Sequence, residues 1–158
     1  MTSTYHTEVE QRLQNLGITL PPAMAPVANY VPFKIAGKVL YISGQLPMGA
    51  DGQLIKGTCG KDIETEAAAH AAQRSAVNIL SQVKAAIGDF DKLEGLSKLT
   101  GFVASTADFE THTAVVNGAS NLMVEALSER GRHARSAVGM VALPFNVVVE
   151  VEAIFQLK

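Results

Sequence analysis

Residues 147–155 read Val147-Val148-Val149-Glu150-Val151-Glu152-Ala153-Ile154-Phe155. Successive side chains of a strand point to opposite sides, so Val147, Val149, Val151, Ala153 and Phe155 share one face. Such a face must be covered. Working outward, Leu143-Pro144-Phe145-Asn146 reads as a turn, and Ala137–Ala142 before it as another strand. Further upstream the period changes. Val115, Ala119, Leu122, Met123 and Ala126 form a helical stripe that ends near Gly131, with Asp108 placed to cap its start and Glu110 in its first turn. Leu96–Ser105 predicts a strand leading into that helix. An earlier stripe of Ala68, Ala72, Ala76, Ile79, Leu80, Val83 and Ile87 predicts a longer helix, opened by Asp62, Glu64 and Glu66 and closed by Gly88.

Before the long helix, Val31–Ala36 and Val39–Ser43 flank Gly37-Lys38, a two-residue hairpin signal. Gly49, Gly52, Gly57 and Gly60 then mark a long loop. Val9, Leu13 and Leu16 predict a helix over 4–16, stopped by Gly17, and Pro21, Pro22 and Pro26 impose an extended connector. The order is β-β-α-β-α-β-β, an α+β fold with two helices on one face of a mixed sheet. Residues 1–24 are expected to form an N-terminal helix and connector, and 25–158 a single domain. On the sheet's other face Val148 and Ile154 need a cover, for which a partner subunit is the simplest source.

Composition narrows the classes of function. A net charge of −2 with scattered basic residues gives no electrostatic case for nucleic-acid binding. The local group of Arg130, Arg132, His133 and Arg135 could hold a small anion but not track a duplex. Cys59 is the only cysteine, so no intrachain disulfide forms; it is expected as an exposed thiol in a glycine-flanked loop. No apolar run reaches the roughly 18 residues of a membrane span, and the start lacks a leader pattern, so a cytoplasmic protein is expected. His6, His70, His112 and His133 show no metal-ligand spacing, and no P-loop, G-x-G-x-x-G or G-x-S-x-G motif occurs.

Two residue types stand out near the end of the chain. Arg135, expected just before a strand, could grip a carboxylate through two parallel hydrogen bonds. Glu150 and Glu152 point the same way from the last strand, roughly 6.5–7 Å apart by strand rise. The same residues would also serve as an Arg–Glu pair or as edge charges that oppose aggregation.

Ala134-Arg135-Ser136-Ala137-Val138, the following Leu143-Pro144 and Val149-Glu150-Val151-Glu152-Ala153 resemble the A-R-S-x-V, L-P and V-E-[IV]-E-A signature of the Rid family, also called YjgF-like or L-PSP endoribonuclease-like proteins. Tyr41-Ile42-Ser43-Gly44-Gln45-Leu46-Pro47 is similar to its S-G-Q-[IL]-P segment. Phe102-Val103, Val116-Asn117 and Tyr30-Val31 match further positions, covering about 25–158. Ala137, Gly139 and Ser120 stand where the deaminase branch often has Cys, Glu and an aromatic, which marks a divergent subgroup.

The resemblance implies a chorismate-mutase-like homotrimer with ligand clefts between subunits. It also implies hydrolysis of 2-imino or 2-enamino acids to 2-oxo acids and ammonia, with no metal or cofactor. Arg135 would anchor the substrate carboxylate and Glu150 would orient or activate water, with Tyr30, Ser43, Gly44 and Asn117 lining or supporting the pocket. From the residues alone Tyr30 could equally be a strand-edge aromatic and Asn117 a brace for a nearby loop, and Ser43 reads as serving the backbone turn near Gly44 in preference to acting as a nucleophile. A non-catalytic trimer that binds small carboxylates is the main alternative. Ribonuclease activity ranks last, for want of a basic surface.

Overall fold

The computed structural model describes residues 4–158. Helix α1 spans Tyr5–Asn15, and the Thr4 hydroxyl caps it by accepting from the Thr7 amide at 3.2 Å. Its buried stripe is Val9 and Leu13 alone; Leu16 is exposed at the C-cap, and Gly17 turns the chain with φ 70°. The Tyr5 hydroxyl donates to the Leu127 carbonyl, which ties α1 to its own chain.

Five strands follow, β1 (Phe33–Ala36), β2 (Val39–Gln45), β3 (Leu93–Ala104), β4 (Ala134–Met140) and β5 (Val149–Leu157), in one sheet of order β1-β2-β5-β3-β4. Helix α2 (Thr65–Ile87) links β2 to β3, and α3 (His112–Leu127) links β3 to β4. Only β3 and β4 are parallel, as the intervening helix allows.

The alternation of β5 is as predicted: Val149, Val151, Ala153 and Phe155 are buried under the helices. They pack with Leu40, Leu99, Leu80 and Leu122 in one core, where truncating Phe155 to Ala would cost about 3–5 kcal/mol. The two long helices approach so closely that a Cβ on Gly118 of α3 would collide with the Ala69 carbonyl of α2. Among the described residues no helix is long and apolar enough to cross a membrane.

Four expectations are corrected. Strand β4 begins at Ala134, so Arg135 lies inside the strand and not before it. Backbone pairing to β3, from Lys98↔Ala134 to Ala104↔Met140, sets those bounds where side-chain alternation is weak. Asp108 does not cap α3: it accepts from the Thr106 hydroxyl at 2.6 Å in the preceding loop, and Thr111 is the N-cap. A short polar side chain can thus favour a local turn over the helix it precedes. Val148 needs no partner subunit, because its amide donates to the Ile55 carbonyl and the long loop buries it. Cys59 is buried as well. Its amide donates to the Ala104 carbonyl, and desolvation, followed by the nearby Asp62 charge, raises its thiol pKa, which disfavours the reactive thiolate.

Candidate active site

The predicted residues fall into two groups. The first gathers on β2 and β5. Between Ile42 and Gln45 the β2–β5 register shifts, so Ser43 and Gly44 form a bulge. Bulges bend a strand and re-aim its groups. Here the bulge brings the Gly44 backbone against the Glu150 carboxyl: a Cβ on Gly44 would lie 2.8 Å from the Glu150 carboxyl carbon. The Ser43 hydroxyl donates to the Val31 carbonyl at 2.7 Å, and its amide donates to Pro32 at 2.9 Å. These bonds pin the segment carrying Tyr30, whose ring is half exposed. Ser43 thus bonds the backbone of the segment before β1, and not the turn at its neighbour Gly44. Burial, and secondarily the Glu152 charge, push the Glu150 carboxyl above the ordinary carboxylate range. An upward shift makes the carboxylate a stronger proton acceptor than a solvated one.

The second group lies between β4 and α3. Arg135 Nη1 donates to Asn117 Oδ1 at 2.8 Å and to Ser120 Oγ at 3.2 Å. Asn117 and Ser120 are three apart on α3, a spacing that sets both on one helix face. Behind them His133 Nε2 lies 2.9 Å from Ser120 Oγ, and His133 Nδ1 lies 2.6 Å from the Gly131 carbonyl. The sequence reading placed His133 in the basic group with Arg135 but gave neither it nor Ser120 a part in holding the arginine. The i, i+3 spacing from Asn117 was the available signal. Among the described residues, Arg135 Nε and Nη2 form no hydrogen bond, so this edge of the guanidinium is free for a carboxylate.

Within one chain the two groups do not meet. Arg135 pairs with Leu99 and shares the helix-covered side of the sheet. Glu150 pairs with Phe102, one step out of phase with buried Val149 and Val151, and takes the opposite side. That side also carries Tyr41, Val138 and Met140, all exposed.

A mixed five-stranded sheet with a parallel β3–α3–β4 unit defines the class as α+β. The chain belongs to the family described as "YjgF/chorismate_mutase-like, putative endoribonuclease", whose model matches residues 10–157. It is 42% identical to protein TCP17 of Trypanosoma cruzi, covering 95% of this chain and 94% of that one. It is 32% identical to "Putative regulator AldR" of Lactococcus lactis, covering 86% and 93%. The crystal structure of Atu1372 from Agrobacterium tumefaciens, a protein of unknown function, superposes with a TM-score of 0.90 at 50% identity, covering 98% and 96%.

Proposed function

We propose that the protein is a homotrimeric deaminase of 2-imino and 2-enamino acids, with each cleft built from two subunits. The observation that carries this reading is the separation of Arg135 and Glu150 onto opposite sides of one sheet. Side chains so placed combine only if one subunit's Arg135 side meets another's Glu150 side. The exposed Tyr41, Val138 and Met140 supply apolar surface for that contact.

In the assembled cleft, the free Nε–Nη2 edge of Arg135 holds the substrate carboxylate. Tyr30 walls the pocket, and the backbone at Gly44 keeps the Glu150 carboxyl in place. Glu150 accepts a proton from a water as its oxygen attacks the imine carbon. Glu150 then returns that proton to the carbinolamine nitrogen, the C–N bond breaks to release ammonia, and the hydroxyl gives up its proton to solvent as the carbonyl of the 2-oxo acid forms. The imine carbon is already electrophilic, so anchoring the substrate and positioning water supply most of the catalysis.

The test is release of ammonia and 2-oxo acid from freshly generated imino acids, alongside the solution mass. Three times the 16.7 kDa subunit and activity absent from a folded Arg135→Ala variant are expected. A monomer, or an Arg135→Ala variant as active as wild type, would overturn the proposal. A second reading, a non-catalytic trimer that binds small carboxylates, draws support from the similarity to "Putative regulator AldR". It predicts 2-oxo acid binding with no turnover of any small, aliphatic or aromatic imino acid.

A further inference from the structure

The hydrogen bonds behind Arg135 have only one consistent direction at neutral imidazole. The Gly131 carbonyl can only accept, so His133 Nδ1 carries the ring proton. His133 Nε2 is then an acceptor and takes the Ser120 hydroxyl hydrogen. Ser120 Oγ, its hydrogen committed, presents its lone pairs to Arg135 Nη1. Asn117 Oδ1 accepts from that same nitrogen at 2.8 Å. We propose that Ser120 and His133 are positioning residues for Arg135. They fix Nη1 against α3 so that the Nε–Nη2 edge faces the ligand carboxylate, and His133 makes the grip pH-dependent.

This inference rests on Arg135 being the carboxylate anchor. A long arginine loses rotamer freedom when it binds, and a guanidinium already held on one side loses less. Ser120, His133 and Arg135 are half-buried, where a hydrogen bond competes less with water, whereas Asn117 is exposed. The shallow cleft around it is lined by Asn117, Ser120, Val124, Arg132, His133 and Arg135. Its charged groups are thus Arg132 and Arg135, and Glu129 in the preceding turn bonds Arg132 at 3.1 Å. Arg130 points elsewhere, stacked over Tyr5 and bonded to the Leu93 carbonyl. When His133 gains a second proton, Nε2–H must donate to Ser120 Oγ. The oxygen then accepts from two cations, and the cleft gains a positive charge that favours an anion. In the assembled cleft Glu150 is the further titrating group, so its contribution must be removed before the imidazole's can be read.

The experiment has two arms. Nitrogen NMR of the full chain at pH 8 reads the His133 tautomer, and the Nδ1–H form is expected; the Nε2–H form would overturn the relay whatever the protein does. The second arm titrates 2-oxobutanoate, as a carboxylate probe, into proteins carrying Glu150→Gln. Ser120→Ala should weaken binding about fivefold, the size of one hydrogen bond, and Ser120→Thr should restore it. Binding to the Glu150→Gln parent should tighten about threefold from pH 8 to pH 5.5, through the positive charge that a protonated imidazole adds to the cleft. His133→Gln should abolish that slope. Unchanged affinity and slope in both variants would overturn the proposal. An Nδ1–H tautomer in a wild-type protein that binds no 2-oxo acid would leave the relay as geometry. It would refute instead the carboxylate-anchor reading, and the positioning role with it.

Discussion

Arg135 and Glu150 lie on opposite sides of the same sheet, Arg135 across from Leu99 beneath α3 and Glu150 across from Phe102 on the side without helices. Two further strand pairings reinforce the division: Gly139 pairs with Val103 on the helix side, and Ser136 pairs with Thr100 on the other. No rotamer change carries a side chain through a packed sheet.

Subunit mixing tests this division directly. Arg135→Ala and Glu150→Gln chains should each be inactive alone. Co-refolded in equal amounts into a cyclic assembly, about a quarter of clefts join one intact Arg135 side to one intact Glu150 side. Activity near a quarter of wild type is expected in the ammonia assay. A mixture as inactive as its parents would show that both residues of a site come from one chain, or that no such site forms.

Arg135 itself should act through binding geometry and not through folding. Two charge-assisted hydrogen bonds are lost in Arg135→Ala, so kcat/KM should fall about a hundredfold or more. Arg135→Lys, lacking the planar fork, should recover little. Melting curves of both variants should stay close to wild type, and an equal loss of stability and activity would count against the anchor role.

Gly44 has a different signature. A Cβ there would press on the end of the Glu150 side chain, which can swing away at small cost. Gly44→Ala should therefore keep its Tm within a few degrees while losing at least about tenfold in kcat, because it displaces the carboxyl proposed to handle the proton. Gly118→Ala makes the opposite control. There the added methyl meets the backbone of α2, which cannot yield, and a loss of about 1–3 kcal/mol in stability is expected by denaturant titration.

The pH dependence of stability follows from the sign of the Glu150 shift. Its folded pKa lies above its unfolded value, so the folded state binds the extra proton. The favourable contribution is complete below the unfolded carboxylate pKa and is lost as pH rises through the folded one. At pH 7 the ionised group thus opposes folding, through desolvation first and the Glu152 charge second. Glu150→Gln should melt higher than wild type at pH 7, with the difference vanishing near pH 4 as the wild-type carboxyl protonates. A Tm difference that grows on acidification would contradict the assigned shift.

Local pattern alone determined the two-face character of β5, the helical stripes of α2 and α3 and the order of elements between the first hairpin and the C-terminus. Each depends on side-chain period, which is written in consecutive residues. The motif around Arg135 and Glu150 was legible in the same way. Tertiary structure decided what period cannot encode. Strand β4 starts at Ala134 because its backbone finds a parallel partner in β3, and Val148 is buried because a loop some ninety residues earlier lies over it. Cys59, glycine-flanked and outwardly ordinary, is buried by its pairing to the end of β3. The division of the site between two sides of the sheet, and the support of Arg135 by Ser120 and His133, depend on which strand lies beside which and how α3 crosses over them. These are long-range contacts, set by packing of the whole chain and not by any one segment of it.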